Sequence, residues 1–180
     1  MALRKATAYS KKKVTPYTRF SKKKGKSYVK TVPHQKIVKF NMGSEVLFRE
    51  GKLPHVLNVI SDEKVQMRHN AFEACRQFIN KKLDKEFSGQ YFFKVVPFPH
   101  HIQRENKMLT GAGADRMQTG MQRAFGKPVG KAAILNKGSP IFKVAVSNEK
   151  AVNFARTVLK RVNPKLPGKI KISYEFVGKA

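Results

Sequence analysis

A glycine-rich stretch from Gln103 to Lys131 interrupts the chain between two groups of apolar segments. It contains five glycines, and up to Pro128 its only β-branched residues are two threonines, so a strand is not expected there. Glycine loses much conformational entropy on ordering and has no side chain to bury. Connections longer than about 12–15 residues are uncommon unless they serve a function. We therefore expect a functional insertion over 103–131 that a partner outside the fold helps to order.

The net charge indicates the class of that partner. The chain has 38 Lys and Arg against 11 Asp and Glu, a formal net charge of +27. A phosphate polymer is the usual counterpart of such charge, because neutralised phosphates release condensed counterions. No apolar run reaches the ~20 residues that cross a bilayer, so no membrane partner is predicted. Cys75 is the single cysteine, which excludes a disulfide framework within the chain. The sequence therefore predicts a soluble, intracellular, nucleic-acid-binding protein.

Positive charge is concentrated at the N terminus. No acidic residue precedes Glu45, and residues 1–26 interleave lysine runs with aromatic residues such as Tyr9 and Tyr17. A block of like charge does not collapse alone, whereas aromatic rings among cations can stack on bases. The alternative, a tail that only aids solubility, would need far less charge. We predict a basic RNA-binding extension over 1–26 with these contact residues: Arg4, Lys5, Lys11, Lys12, Lys13, Arg19, Lys22, Lys23, Lys24 and Lys26.

Residues 27–180 are predicted to form a single α+β domain that carries the insertion. One helix is expected to begin at Ser61 as N-cap, and a second at Asn148. Asn41–Gly43 is a predicted turn, and 45–53 is ambiguous, with an edge strand as one interpretation. Apolar runs or period-two alternation predict strands at 36–40, 56–60, 91–96, 132–135, 141–146 and 169–176.

The order of these elements predicts a mixed sheet with both helices packed on one face. Taken alone, it suggests a ferredoxin-like split βαβ arrangement.

Nucleotide-binding signatures fail in the glycine-rich stretch. Gly111-Ala112-Gly113 begins a dinucleotide fingerprint, but Arg116 occupies the position of the third glycine. The spacing from Gly120 to Gly126-Lys127 is one residue too long for a P-loop, and Pro128 replaces the Ser or Thr that would hold magnesium. No cofactor is therefore predicted.

The five histidines lack the spacing of a metal site, so no metal is predicted. His100 and His101 precede the insertion, where they could contact RNA or serve as polar residues at a strand end. An RNA-processing enzyme that uses either histidine with Glu105 is the third of three function classes that we consider. It has no paired carboxylates to support it.

Residues 114–124 fit one short helix within the insertion. Arg116, Gly120 and Arg123 would lie on its outward face, where glycine allows close approach to a phosphate backbone and the guanidinium groups bind phosphates. Residues 105–113 would then form a flexible tip. The alternative is an ordinary surface helix decorated with arginine.

The same segment carries a resemblance to a known family. The matching motifs are RENKML at 104–109, GAGADR at 111–116, GM at 120–121 and AFGKP at 124–128. Further matches include the RHNA motif at 68–71 and the YTR motif at 17–19. The sequence resembles the universal large-subunit ribosomal protein family, called L-sixteen in bacteria and L-ten-e in archaea and eukaryotes. The resemblance covers most of the chain and favours the archaeal branch.

The resemblance implies a ribosomal structural protein without enzymatic activity, cofactor or small-molecule substrate. Its expected partners are large-subunit rRNA, tRNA and neighbouring ribosomal proteins. It would lie near the A-site tRNA elbow, with the insertion extending towards the peptidyl transferase centre. Its implied roles are to hold rRNA helices, to support tRNA accommodation and to complete a late step of subunit assembly. The family fold is described as an α/β-hammerhead-like sandwich.

The resemblance also assigns roles within the insertion. The loop cations would be Arg104, Lys107, Arg116, Arg123 and Lys127, with Gly120 between the two helical arginines. The tip directed at tRNA and the peptidyl transferase centre would comprise Asn106, Met108, Leu109, Gly111 and Gly113. The alternative function class is a freestanding RNA- or DNA-binding protein, such as a chaperone or a chromatin-like protein.

Overall fold

The computed structural model describes residues 17–18, 29, 31–105 and 126–177. Within these ranges the chain forms eight strands, three α-helices and one 3-10 turn. In order they are β1 (Asn41–Gly43), α1 (Glu45–Arg49), β2 (His55–Ser61), β3 (Val65–Arg68), α2 (His69–Phe87), β4 (Tyr91–Val95), β5 (His101–Glu105), β6 (Lys127–Leu135), β7 (Pro140–Val146), α3 (Glu149–Lys160), a 3-10 turn (Asn163–Lys165) and β8 (Ile170–Phe176).

The strands form two sheets. The larger has the order β1-β4-β7-β2-β8, and the smaller has the order β3-β6-β5. The α+β class is therefore confirmed. The predicted mixed sheet is wrong, because every neighbouring pair among the described strands is antiparallel. β2 and β4 do run in the same direction, but β7 lies between them.

This arrangement is a split βαβ unit, as the order of predicted elements suggested. A second unit follows the same plan, since β7 and β8 are connected through α3 and flank β2. The two units interlock, and each supplies the strand that separates the other's parallel pair. The α/β-hammerhead-like sandwich that the family resemblance implies stays a prediction.

The main core lies between one face of the larger sheet and the two long helices. It includes Phe72 and Ile79 of α2, Leu159 of α3 and Phe142 of β7, all fully or almost fully buried. Phe72 and Phe142 meet edge to face, with ring centroids 6.2 Å apart. Burying a side chain of this kind stabilises the fold by about 1.5–3 kcal/mol. The prediction that both long helices share one face of the sheet is confirmed.

A smaller apolar cluster covers the opposite face of the same sheet. Leu47 and Phe48 of α1 pack against it, and Phe48 stacks on Phe92 with ring centroids 4.7 Å apart. The helix begins at Ser44, whose hydroxyl accepts a hydrogen bond from the Leu47 N–H. The edge strand considered for 45–53 is therefore wrong, because the chain here forms a capped helical turn.

The first long helix begins at His69, so the prediction of Ser61 as its N-cap is wrong. Ser61 ends β2, and Val65–Arg68 forms β3, in which all four residues are buried. A strand buried on both faces shows no period-two alternation. For that reason the apolar periodicity placed Val65 in the predicted helix, although it belongs to β3.

The predictions for residues 36–43 were also wrong. Residues 36–40 form no strand, whereas Asn41–Gly43 forms β1 and pairs with β4. Gly43 has a φ of +78°, and a Cβ atom there would lie 2.2 Å from the carbonyl oxygen of Tyr91. Glycine thus permits the close approach of β4, and residues 41–43 pair with it as a strand where a turn was predicted.

The remaining elements agree with the sequence. β4, β7, α3 and β8 lie within a residue or two of their predicted ranges. Cys75 is buried in the main core, and desolvation raises the pKa of its thiol to about 12, as befits a small apolar residue. In β8, Ile170 and Ile172 pack against the core, but Phe176 remains exposed.

Candidate nucleic-acid interface

The two ends of the insertion meet in the smaller sheet. Arg104 of β5 lies opposite Pro128 of β6, and Glu105 lies opposite Lys127. The expectation of no strand in this stretch is wrong at both ends, because Gln103–Glu105 and 127–131 belong to β5 and β6. These residues form strands because β5 and β6 pair with each other across the insertion. Local propensity does not indicate such pairing. The insertion therefore leaves the sheet from a two-stranded base.

Tyr17 of the predicted basic extension binds this base. Its carbonyl oxygen accepts a hydrogen bond from the Ile102 N–H at 2.7 Å, and its own N–H donates to Nδ1 of His101 at 2.8 Å. The guanidinium carbon of Arg104 lies 3.9 Å from the centroid of the Tyr17 ring. A guanidinium over an aromatic face at this distance is attracted by the ring quadrupole. At Tyr17, the extension thus contacts the strand that leads into the insertion.

His101 acts at this contact as a hydrogen-bond acceptor. Its side chain is 7% exposed, and burial followed by the charge of Arg104 lowers its pKa. The neutral ring accepts through Nδ1, so its proton resides on Nε2. Because Nδ1 is engaged by the Tyr17 N–H, that atom is not available as a general base. The geometry gives His101 a structural role, and His100 remains exposed next to it.

A layer of buried polar side chains supports the smaller sheet. Gln66 of β3 and Gln103 of β5 are hydrogen-bonded through their side-chain amides. His69, the first residue of α2, is 4% exposed. A Cβ atom at Gly130 would lie only 3.2 Å from Nε2 of His69. Glycine in β6 therefore makes room for the histidine ring.

The surroundings of His69 are strongly positive. Desolvation, then the charges of Lys36, Arg68 and Lys131, lower its pKa to about 4. His69 is therefore neutral near pH 7. The start of α2 combines this neutral ring with cations from three different segments of the chain.

Four carboxylates on the rest of the described surface are paired with nearby cations. Such pairs leave the large excess of Lys and Arg available to an external polyanion. The pairs and their N–O distances are Glu45–Arg49 at 2.7 Å, Glu50–Lys52 at 2.8 Å, Glu73–Arg76 at 2.6 Å and Asp62–Lys171 at 3.0 Å.

Of the predicted contact residues, the described part of the chain includes Arg104 and Lys127. The two lie on β5 and β6 at the base of the insertion, and both are exposed. The predicted helix at 114–124 lies outside the described residues. So do these predicted contacts: Arg4, Lys5, Lys11, Lys12, Lys13, Arg19, Lys22, Lys23, Lys24, Lys26, Asn106, Lys107, Met108, Leu109, Gly111, Gly113, Arg116, Gly120 and Arg123.

Sequence reasoning missed the polar layer and the Tyr17 contact. The signal for His69 was present in the RHNA motif at 68–71, which contributed to the resemblance without a physical role. Tyr17 was noted only as a ring among cations. Its hydrogen bonds depend on His101 and Ile102, more than eighty residues away in the chain, so local sequence carried no sign of them.

Neither a metal site nor a membrane span emerges among the residues that the structure describes. Over 31–105 and 126–177, no group of His, Cys, Asp and Glu side chains could hold a metal ion. No helix in those ranges is long and apolar enough to cross a membrane.

The fold and charge define a strongly basic α+β protein in which Tyr17 lies on the edge strand that leads into the insertion. Residues 12–173 match the family model described as ribosomal protein L16p/L10e, and the chain belongs to this family. Archaeal relatives named large ribosomal subunit protein uL16 agree with this assignment and with the expected branch. The protein of Staphylothermus marinus is 41% identical over 97% of this chain and 95% of its own length. That of Hyperthermus butylicus is 44% identical over 84% of this chain and 79% of its own. That of Sulfolobus acidocaldarius is 40% identical over 99% and 97%.

Proposed function

We propose that this chain is a structural constituent of the large ribosomal subunit that binds rRNA near the A-site tRNA elbow. The 103–131 insertion reaches towards the peptidyl transferase centre, where it supports tRNA accommodation and a late step of subunit assembly. The partners are large-subunit rRNA, tRNA and neighbouring ribosomal proteins, on ribosomes of the cytoplasm. Membership of the family supports this proposal, as does a net charge of +27.

One observation carries the proposed division of labour. The insertion starts and ends in the paired strands β5 and β6, and Tyr17 of the extension binds β5. A paired base of this kind holds both ends of a long segment while its middle stays available for a partner. Arg104 and Lys127 then contact phosphates close to the domain, and Arg116 and Arg123 contact them further out.

The proposed division of the chain follows from this. Residues 1–26 are an rRNA-binding extension, and 27–180 form one domain from which the insertion projects. No catalytic step is proposed. Of the two histidines considered for acid–base work, His101 has its Nδ1 occupied by a backbone donor.

Reconstitution tests the proposal. Large subunits are stripped of this protein and refilled with wild type, with Arg116→Ala/Arg123→Ala, or with Lys81→Ala/Lys85→Ala as a control of equal charge on the exposed side of α2. Wild type and control are expected to remain bound in high salt and to restore A-site tRNA binding. The insertion variant should restore less of it. If wild type washes off the subunits in high salt and binds RNA and DNA alike, the freestanding binder replaces the proposal.

A further inference from the structure

An exposed aromatic side chain lies where the chain passes from the larger sheet to the smaller one. Phe98 is 46% exposed, although the segment between β4 and β5 is short and Pro99 next to it is buried. Pro97 and Pro99 flank it, and each proline fixes its own φ. The backbone that carries the ring is therefore restricted before any partner binds.

Phe98 belongs to a surface of three rings, which we call the aromatic platform: Phe40, Phe98 and His100. Phe40 stacks with Phe98 at a centroid distance of 5.3 Å and an interplanar angle of 22°. His100 lies 4.6 Å from Phe98 with an angle of 46°. Exposed aromatic rings of this kind are what single-stranded nucleic acids stack on, because every base has a π face.

The platform is held firmly by the larger sheet. Phe40 packs against the main core, and its carbonyl oxygen accepts a hydrogen bond from the Val95 N–H at 2.8 Å. On the other side, the Val96 N–H donates to Ile141 at 3.1 Å. A ring that is already ordered costs little further entropy when a ligand binds.

Local charge favours nucleic acid as the occupant. The two segments that form the platform, 31–44 and 88–104, contain no Asp or Glu and carry four Lys or Arg as well as three histidines. The carboxylates that contact the first segment belong to Glu45 and Glu73, and each of them is paired with an arginine. Phosphates that flank a stacked base would therefore meet a surface with an excess of cations.

A second exposed aromatic group contrasts with this one. Tyr174 near the end of β8 is hydrogen-bonded to His55 at 2.7 Å, and Arg156 lies 5.3 Å from its ring centroid. Its neighbour Phe176 follows Glu175, so that surface combines rings with an acid. Phe176 therefore serves as an exposed aromatic control without the same charge pattern.

We propose that the aromatic platform binds an unpaired RNA base, which stacks on Phe98. This inference rests on the proposed function, since it names one contact through which the chain would bind rRNA. The three rings themselves lie outside the basic extension at 1–26 and outside the insertion at 103–131.

Fluorescence provides a direct test, because the full chain contains no tryptophan. Phe98→Trp places a single indole on the platform, and Phe176→Trp places one at the control surface. The probes are a single-stranded oligoadenylate and a blunt RNA duplex with the same number of phosphates. We expect saturable quenching of the Phe98→Trp signal by the single strand and much weaker quenching by the duplex. The Phe176→Trp signal should change little with either.

Affinity gives a second readout that preserves apolar packing. Phe98→Leu should weaken binding of the oligoadenylate about 5- to 160-fold, the range for loss of one base–aromatic stack. Phe176→Leu should leave it unchanged. The platform proposal is overturned if wild type and Phe98→Leu bind the oligoadenylate equally and the single strand and duplex quench Phe98→Trp equally. That result would leave the proposal of rRNA binding intact. Quenching by a mixture of ribosomal proteins but not by RNA also overturns it, in favour of a protein contact. A wild-type chain that binds neither probe nor large-subunit rRNA refutes the proposed function as well.

Discussion

The two sheets differ in what they bury. The larger sheet packs an apolar face against α2 and α3, with Phe93, Phe142 and Val144 fully buried. The smaller sheet, together with the first residue of α2, contributes five of the seven buried polar or charged side chains among the described residues: Gln66, Arg68, His69, His101 and Gln103. It is also the sheet that holds Tyr17 and both ends of the insertion.

This difference separates stability from function. Apolar burial is not directional, so the larger sheet stabilises the fold without specifying contacts at its surface. Buried polar groups require particular partners. In the smaller sheet the hydrogen bond between Gln103 and Gln66 links β3 with β5, the strand from which the insertion emerges. The proposed rRNA contacts of the insertion therefore extend from the smaller sheet, whereas the proposed stacking of a base on Phe98 is supported by the larger one.

The largest effect is expected in the larger sheet. Phe142→Ala should lower the free energy of unfolding by about 3–5 kcal/mol, because it leaves a cavity beside Phe72. Urea denaturation of the purified chain measures this. Phe98→Ala, at an exposed position, is the control and should cost far less. A loss below 1 kcal/mol for Phe142→Ala would contradict the assignment of stability to this core.

The next effect concerns the polar layer and is pH-dependent. The folded pKa of His69 is about 4, below its ordinary value of 6.5, so the unfolded chain binds more protons between these values. The stabilisation is complete above pH 6.5 and is lost as the pH falls towards 4. The free energy of unfolding should therefore fall by about 3 kcal/mol over this pH range because of His69.

Denaturation at several pH values, with His69→Gln as the comparison, measures this contribution. The difference in unfolding free energy between the two proteins should narrow towards pH 4. A difference that is constant with pH would show that His69 does not titrate in this way.

A smaller effect is expected at the Tyr17 contact. Tyr17→Ala removes the ring beneath Arg104 but keeps both backbone hydrogen bonds, and should weaken docking of the extension by about 0.5–1 kcal/mol. Tryptic cleavage within residues 11–26 should become faster while the melting temperature of the domain stays the same. Tyr17→Phe, which retains the ring, is the matched control. Equal cleavage of all three proteins would mean that the ring contact does not hold the extension.

The smallest effect is expected at an exposed ion pair on α1. Hydrogen bonding to Arg49, followed by its charge, lowers the pKa of Glu45, but the carboxylate lies in solvent. Glu45→Gln should therefore leave the melting temperature unchanged within error. A clear decrease would show that the surface of the larger sheet contributes specific interactions, and would weaken the contrast between the two sheets.

The sequence by itself determined the class of partner, the α+β composition and the elements with strong local signals. A net charge of +27 indicates a polyanionic partner whatever the fold is. α3 and β7 were predictable because each carries an apolar pattern bounded by its own turn residues. The insertion was recognisable from its glycines, and its motifs identified the family.

Tertiary structure alone decided the smaller sheet. β3 pairs with β6, which lies more than sixty residues further along the chain, and β5 gains its strand character from the same partner. Local patterns report periodicity within a segment, but a ladder bond depends on the segment opposite. The contact between Tyr17 and His101 has the same origin. For that reason the sequence located the extension and the insertion, and only the fold placed Tyr17 of the extension beside the strand from which the insertion emerges.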